Sequence, residues 1–157
     1  MPDMLVKLYE LPDLEPTLAA MRQQGIVIRH AMPYEISKVT GWVREQFGQG
    51  WADECASSFA RQPVSCFIAL DNGRLCGFGC YEATAPDYFG PTGVQESDRK
   101  RGIGKALLLA CLHALRAMGY GYAIIGGAGP VDFYAKAVGA TVIEGSSPGI
   151  YRDGIKA

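Results

Sequence analysis

Arg99-Lys100-Arg101-Gly102-Ile103-Gly104-Lys105 is the stretch on which the reading of the fold turns. It runs into Ile103, Leu107, Cys111, Leu115 and Met118, whose spacings of three and four predict an amphipathic helix to about Met118. Glycines let the chain turn tightly and aim its backbone N–H groups at one spot, where the helix N-terminus adds about half a positive charge. The basic side chains reinforce that field. The segment therefore reads as a phosphate or pyrophosphate cradle, against the plainer alternative of a solvated basic turn. Spacing narrows the ligand. A nucleoside-triphosphate loop needs GxxxxGK followed by Ser or Thr, but Ala106 follows Gly104-Lys105 and Arg99 stands at the first glycine position. A dinucleotide fingerprint needs GxGxxG, and Leu107 occupies its third glycine position; Gly127-Ala128-Gly129 fails likewise at Asp132.

Upstream of the cradle, Phe89–Val94 is a strand interrupted by Gly90, Pro91 and Gly93, which suggests a bulge or a place where a ligand meets bare backbone. Before it, Val64–Leu70 and Arg74–Ala83 form a hairpin through Asp71-Asn72-Gly73. Gly25 opens a strand over Ile26–Ala31, and Pro33 starts a helix carrying Ile36, Val39, Val43 and Phe47. Trp51-Ala52-Asp53-Glu54 begins another short helix that ends before Pro63. At the start of the chain, residues 4–11 alternate as a strand, which two prolines then break. Downstream, Tyr120–Ile125 reads as a fully buried strand, and Pro130 opens a helix from Val131 to Val138 that Gly139 ends. Thr141–Glu144 and Ile150-Tyr151 supply closing strands. This order predicts an α/β fold, a mixed sheet with helices on its faces.

Composition agrees with a single globular domain: 157 residues, 48% apolar and 20% charged. With 15 basic against 16 acidic residues, neither nucleic acid nor an anionic membrane is an expected partner. The first residues lack the basic region of a signal peptide, and no apolar run approaches the roughly 18 residues of a membrane span. The five cysteines, at 55, 66, 76, 80 and 111, include no CxxC pair, and the two histidines lie far apart. We therefore expect reduced, buried cysteines, no metal, and a cytoplasmic location.

Arg99-x-x-Gly102-x-Gly104 fits the R/Q-x-x-G-x-G/A pattern of the GNAT superfamily of acyl-CoA-dependent N-acetyltransferases. The resemblance extends over residues 25–157, the expected N-acetyltransferase domain. Ile26–Ala31 resembles the family's first strand, the hairpin its second and third, Phe89–Val94 its bulged fourth, and FYAKAVGA at 133–140 its second motif. Residues 1–24 lie outside it, as an N-terminal extension of a short strand plus loop. The resemblance implies a sheet of six or seven strands, splayed between Phe89–Val94 and Tyr120–Ile125, with acetyl-CoA as co-substrate. It places the pantetheine arm along Thr92 and Val94 and the pyrophosphate on Arg99, Lys100, Arg101, Gly102, Ile103, Gly104 and Lys105. A backbone N–H on the bulged strand, at Val94 or its neighbour, would polarise the thioester carbonyl, and Tyr134 stands at the position of the family's general acid. Glu82 and Asp87 are the nearest acids for a base, and a water chain would also serve. Trp51 and Glu54, in the helical region that flanks the acceptor groove, would bind a small-molecule or peptide primary amine. Assembly as a homodimer is left open. Two positions depart from the pattern: Ala128, where many members carry asparagine, and Ala140, where they carry phenylalanine. A non-catalytic acyl-CoA-binding or regulatory module is the alternative.

Overall fold

Seven strands form one mixed sheet in the computed structural model, which describes residues 1–156. They are β1 (Met4–Lys7), β2 (Ile26–His30), β3 (Cys66–Asp71), β4 (Arg74–Tyr81), β5 (Tyr88–Val94), β6 (Tyr122–Ile125) and β7 (Thr141–Val142), ordered β2-β3-β4-β5-β6-β1-β7. Every neighbouring pair is antiparallel except β5 and β6. The helices are α1 (Glu15–Gln23), α2 (Ile36–Phe47), α3 (Gln49–Ser57), α4 (Ile103–Ala117) and α5 (Val131–Val138). None of the described helices is long and apolar enough to cross a membrane.

The alternation of side chains along β3 and β4, interrupted by a bulge at Cys76, assigns the helices to two faces. Cys66, Ile68, Phe78 and Cys80 pack with Val39 and Val43 of α2 and Ala52 and Cys55 of α3. Ala69 and Cys76 pack with Ile103, Ala106 and Leu107 of α4 and Met21 of α1. Helix α4 is apolar almost all round: Ile103, Leu115 and every residue from Ala106 to Leu112 are buried. That pattern belongs to a helix covered by sheet on one side and by further chain on the other. Met118, read as part of the apolar stripe, caps the helix's C-terminus and is half exposed.

The structure refines the local reading at several points. After the first strand the chain forms α1 rather than a loop, because Pro16 falls in the helix's first turn, where its fixed φ fits and no N–H is missed. The first strand itself lies inside the sheet, between β6 and β7, with Met4 opposite both Ile125 and Val142. Residues 149–151 make a 3-10 turn instead of a closing strand, and β7 is only two residues long. Strand β6 begins at Tyr122, which is half exposed, so it is not buried throughout.

Candidate active site

Strands β5 and β6 pair only at Tyr88↔Ile124 and Phe89↔Ile125, then part. The parting begins at Gly90, whose φ of 119° is open to glycine and strained for other residues. On the other side of β5 the ladder to β4 shifts register between Gly79 and Tyr81, the bulge expected of the glycine- and proline-rich strand. Pairing then resumes, and Gln95 donates to the Cys76 carbonyl at 2.9 Å. Antiparallel hydrogen bonds alternate, so Gly93 and Gln95 bond to β4 while Thr92 and Val94 turn their backbone groups to the opposite edge. Among the described residues no strand meets them there. The Thr92 hydroxyl anchors its side chain by donating to the Phe78 carbonyl at 3.0 Å, and the Val94 carbonyl accepts from Arg99 Nε at 3.4 Å.

A cavity of about 700 Å³ fills the splay, and Gly90–Val94 form one wall. The glycine-rich turn forms its mouth. Gly102 (φ 87°) caps α4, and the first helical bond runs from Ala106 N–H to the Gly102 carbonyl. The N–H groups of Ile103, Gly104 and Lys105, at the start of the helix, have no intrahelical acceptors, and no side chain among the described residues caps them. Arg99, Lys100 and Lys105 line the same mouth.

Arg101 does not line it. Its guanidinium lies 2.9 Å from both Asp71 and Asp98 and bonds to Gln24. Asp98 is buried and also receives both terminal nitrogens of Arg74 at 2.9 Å. Arg74, and secondarily Arg101, hold its carboxyl below the usual carboxylate range. Arg101, expected from the sequence to meet pyrophosphate, instead ties the cradle to the β3–β4 turn through these carboxylates.

Tyr134, on α5, lines the cavity and is only 6% exposed. Its ring meets Phe89 edge-on at 6.3 Å and Phe133 at 5.2 Å. Among the described residues nothing hydrogen-bonds its hydroxyl, and burial pushes its pKa up to about 12. It stays a neutral O–H donor across the physiological range.

Neither acid read as a base lies on the cavity. Glu82 is buried and accepts from the Asp87 N–H at 2.6 Å and the Tyr120 hydroxyl at 2.7 Å. It staples the β4–β5 connection to the segment that enters β6. Asp87 beside it is raised to about 6, by burial first and then by Glu82. Among the described residues lining the cavity the one carboxylate is Asp98, already held by two arginines.

On the acceptor side Trp51 lines the cavity, while Glu54, one turn on, instead accepts from the Thr84 hydroxyl. Two further aromatics complete the wall. Phe47 lies 5.4 Å from Trp51, over Gly93, where a Cβ would fall 2.5 Å from its ring. Phe133 faces the cavity beside Tyr134. Phe47 reads from its spacing as a core position on α2; only the contact with Gly93 reveals its place at the site.

Residues 35–140 match the acetyltransferase (GNAT) family. Three solved structures share the fold over 90% of this chain. One, a region of a fungal multidomain GH3 β-N-acetylglucosaminidase described as a GCN5-related glucosamine N-acetyltransferase, has a TM-score of 0.74 at 14% identity. A GCN5-related N-acetyltransferase from Sphaerobacter thermophilus has a TM-score of 0.64 at 22% identity, and one from Kribbella flavida 0.57 at 16%. The chain spans 19% of the first protein's length, 48% of the second's and 53% of the third's. No curated protein sequence matches it.

Proposed function

The chain belongs to the GNAT acetyltransferase family, and from that premise we propose that it moves an acetyl group from acetyl-CoA directly to a primary amine. One observation carries the reading. The unpaired edge of β5, the uncapped N-terminus of α4 and the Tyr134 hydroxyl all belong to a single cavity. Thr92 and Val94 present backbone donors and acceptors in strand register, as a ligand containing amides requires. The free N–H groups of residues 103–105, with Arg99, Lys100 and Lys105, suit a pyrophosphate.

The thioester supplies the acetyl group. The Val94 N–H polarises its carbonyl in the manner of an oxyanion hole. The amine nitrogen bonds to the carbonyl carbon as the carbon–sulfur bond breaks. Tyr134 O–H gives its proton to the departing sulfur, and the surplus proton on nitrogen returns through water to the phenolate. Water takes this part because the cavity wall carries no uncommitted carboxylate among the described residues. Trp51, Phe47 and Phe133 offer aromatic faces to the amine and the carbon skeleton behind it. Glucosamine, the amine in the fungal neighbour's description, is the first acceptor to assay. The five free cysteines favour the reducing cytoplasm as the setting.

Calorimetry with CoA and a thiol-release assay across an amine panel test the proposal together. Saturable CoA binding with thiol release for at least one amine is the expected result. CoA binding without release from any amine would replace the enzyme with an acyl-CoA-binding module, and absent CoA binding would end both readings.

A further inference from the structure

Cys55 on α3, Cys66 on β3 and Cys80 on β4 bring their sulfurs within 4.8 Å of one another, and all three are fully buried. Acetyl transfer uses none of them. Cys66 and Cys80 face each other across the ladder. The next pair is bonded, Tyr81 N–H to the Ser65 carbonyl at 3.0 Å, so the two cysteines form a non-hydrogen-bonded pair, where facing side chains stand closest. Helix α3 sets Cys55 over them. Its end is tied down by the Ser58 hydroxyl, which donates to the Cys55 carbonyl at 2.6 Å, and by Ser65 N–H, which donates to the Ser58 carbonyl at 3.1 Å.

Three sulfurs bound to one ion at about 2.3 Å stand roughly 3.4 Å apart around a pyramidal centre and roughly 4 Å apart around a planar one, so the cluster must draw together slightly to chelate. Charge then selects the ion. The surrounding core consists of Ala31, Val39, Val43, Ala52, Val64, Ile68 and Phe78, and no Lys, Arg or His is among the buried described residues. A net charge in such a place is costly, so the filled site must be neutral. Three thiolates with a monovalent or divalent ion leave a negative charge, and zinc would also want a fourth ligand. A trivalent, three-coordinate thiophile satisfies both conditions.

We propose that Cys55, Cys66 and Cys80 form a binding site for a trivalent thiophilic metalloid of the As(III) class. With arsenous acid the three S–H bonds and three As–O bonds exchange for three As–S bonds and three O–H bonds. The products are a neutral tris-thiolate and three waters, with no change of oxidation state. The site lies one helical turn beyond Trp51 and is chemically independent of acetyl transfer.

The test uses the folded full chain, reduced, with arsenite. Intact-mass measurement should show one arsenic added and three hydrogens lost, and the thermal midpoint should rise, because a preformed site binds the folded state. Cys55→Ala, Cys66→Ala and Cys80→Ala should each weaken binding about a hundredfold or more, as one arm of the chelate is removed. Cys76→Ala, in the α1–α4 core, should leave it unchanged. A fall in the midpoint of the wild-type protein would show that arsenite prefers unfolded thiols and would overturn the proposal whether or not the variants fold. An adduct that retains one of the three protons, or tighter binding of zinc than of arsenite, would overturn it equally.

Discussion

Replacing Tyr134 with phenylalanine removes one oxygen and keeps the ring that packs against Phe89 and Phe133. The hydroxyl is bonded to nothing in the described chain, so its loss frees no buried partner. Folded stability should therefore hold or rise slightly, and CoA affinity should not change, since the pyrophosphate cradle and the β5 edge remain. The rate is another matter. A positioned acid contributes roughly 10²–10⁴-fold, or about 3–5 kcal/mol of barrier, and Tyr134→Phe should lower kcat by that factor, or less where water substitutes. The phenol titrates near 12, so in the wild-type enzyme kcat should show no alkaline fall from this group below about that pH. By linkage, a raised pKa stabilises the fold fully below the ordinary tyrosine value near 10 and loses that contribution between about 10 and 12. The assay is thiol release under saturating acetyl-CoA, with thermal midpoint and CoA calorimetry on the same preparation. A near-wild-type kcat, with chemistry shown to be rate-limiting, would refute the acid role. A drop in midpoint with an unchanged rate would make the tyrosine structural.

The other predictions concern the cradle, the wall and one ion pair. Gly102→Val, at φ 87° and with Met21 3.2 Å from the new Cβ, and Gly104→Val, whose branched chain covers the exposed N–H groups, should each weaken CoA binding at least about tenfold by calorimetry. Arg99→Ala should weaken CoA binding by less than either glycine variant, whereas Arg101→Ala should lower the thermal midpoint and leave the affinity nearly unchanged; the reverse pattern would put Arg101 back on the pyrophosphate. Gly93→Ala should push Phe47 off β5, costing about 1–3 kcal/mol in urea unfolding and raising KM for the amine. Arg29 holds Glu35 at about 2, below its ordinary 4.5. That stability is present above about 4.5 and lost as pH falls toward 2, so Glu35→Gln should flatten this limb of the midpoint–pH curve.

The cradle, the α4 stripe, the β3–β4 hairpin and the broken strand before the cradle are legible in sequence because each is settled within a few residues. Glycine φ, helical spacing, turn chemistry and the missing proline N–H act locally. Tyr134 and Trp51 are legible too, through the motif and the flanking helix. Arg101 and Glu82 could not be placed that way: their side chains have several possible partners, and only the packed fold brings Asp71 and Asp98 to one and Tyr120 to the other. The insertion of β1 between β6 and β7 is likewise a choice among unpaired edges, and nothing in MLVK states which edge is open. Phe47 reaches the cavity, and Cys55 joins Cys66 and Cys80, because α2 and α3 cross one face of the sheet at a particular height. Sequence thus determined the pieces whose energies are local, and tertiary structure alone decided which side chains meet across them, since those contacts depend on the position of every intervening element.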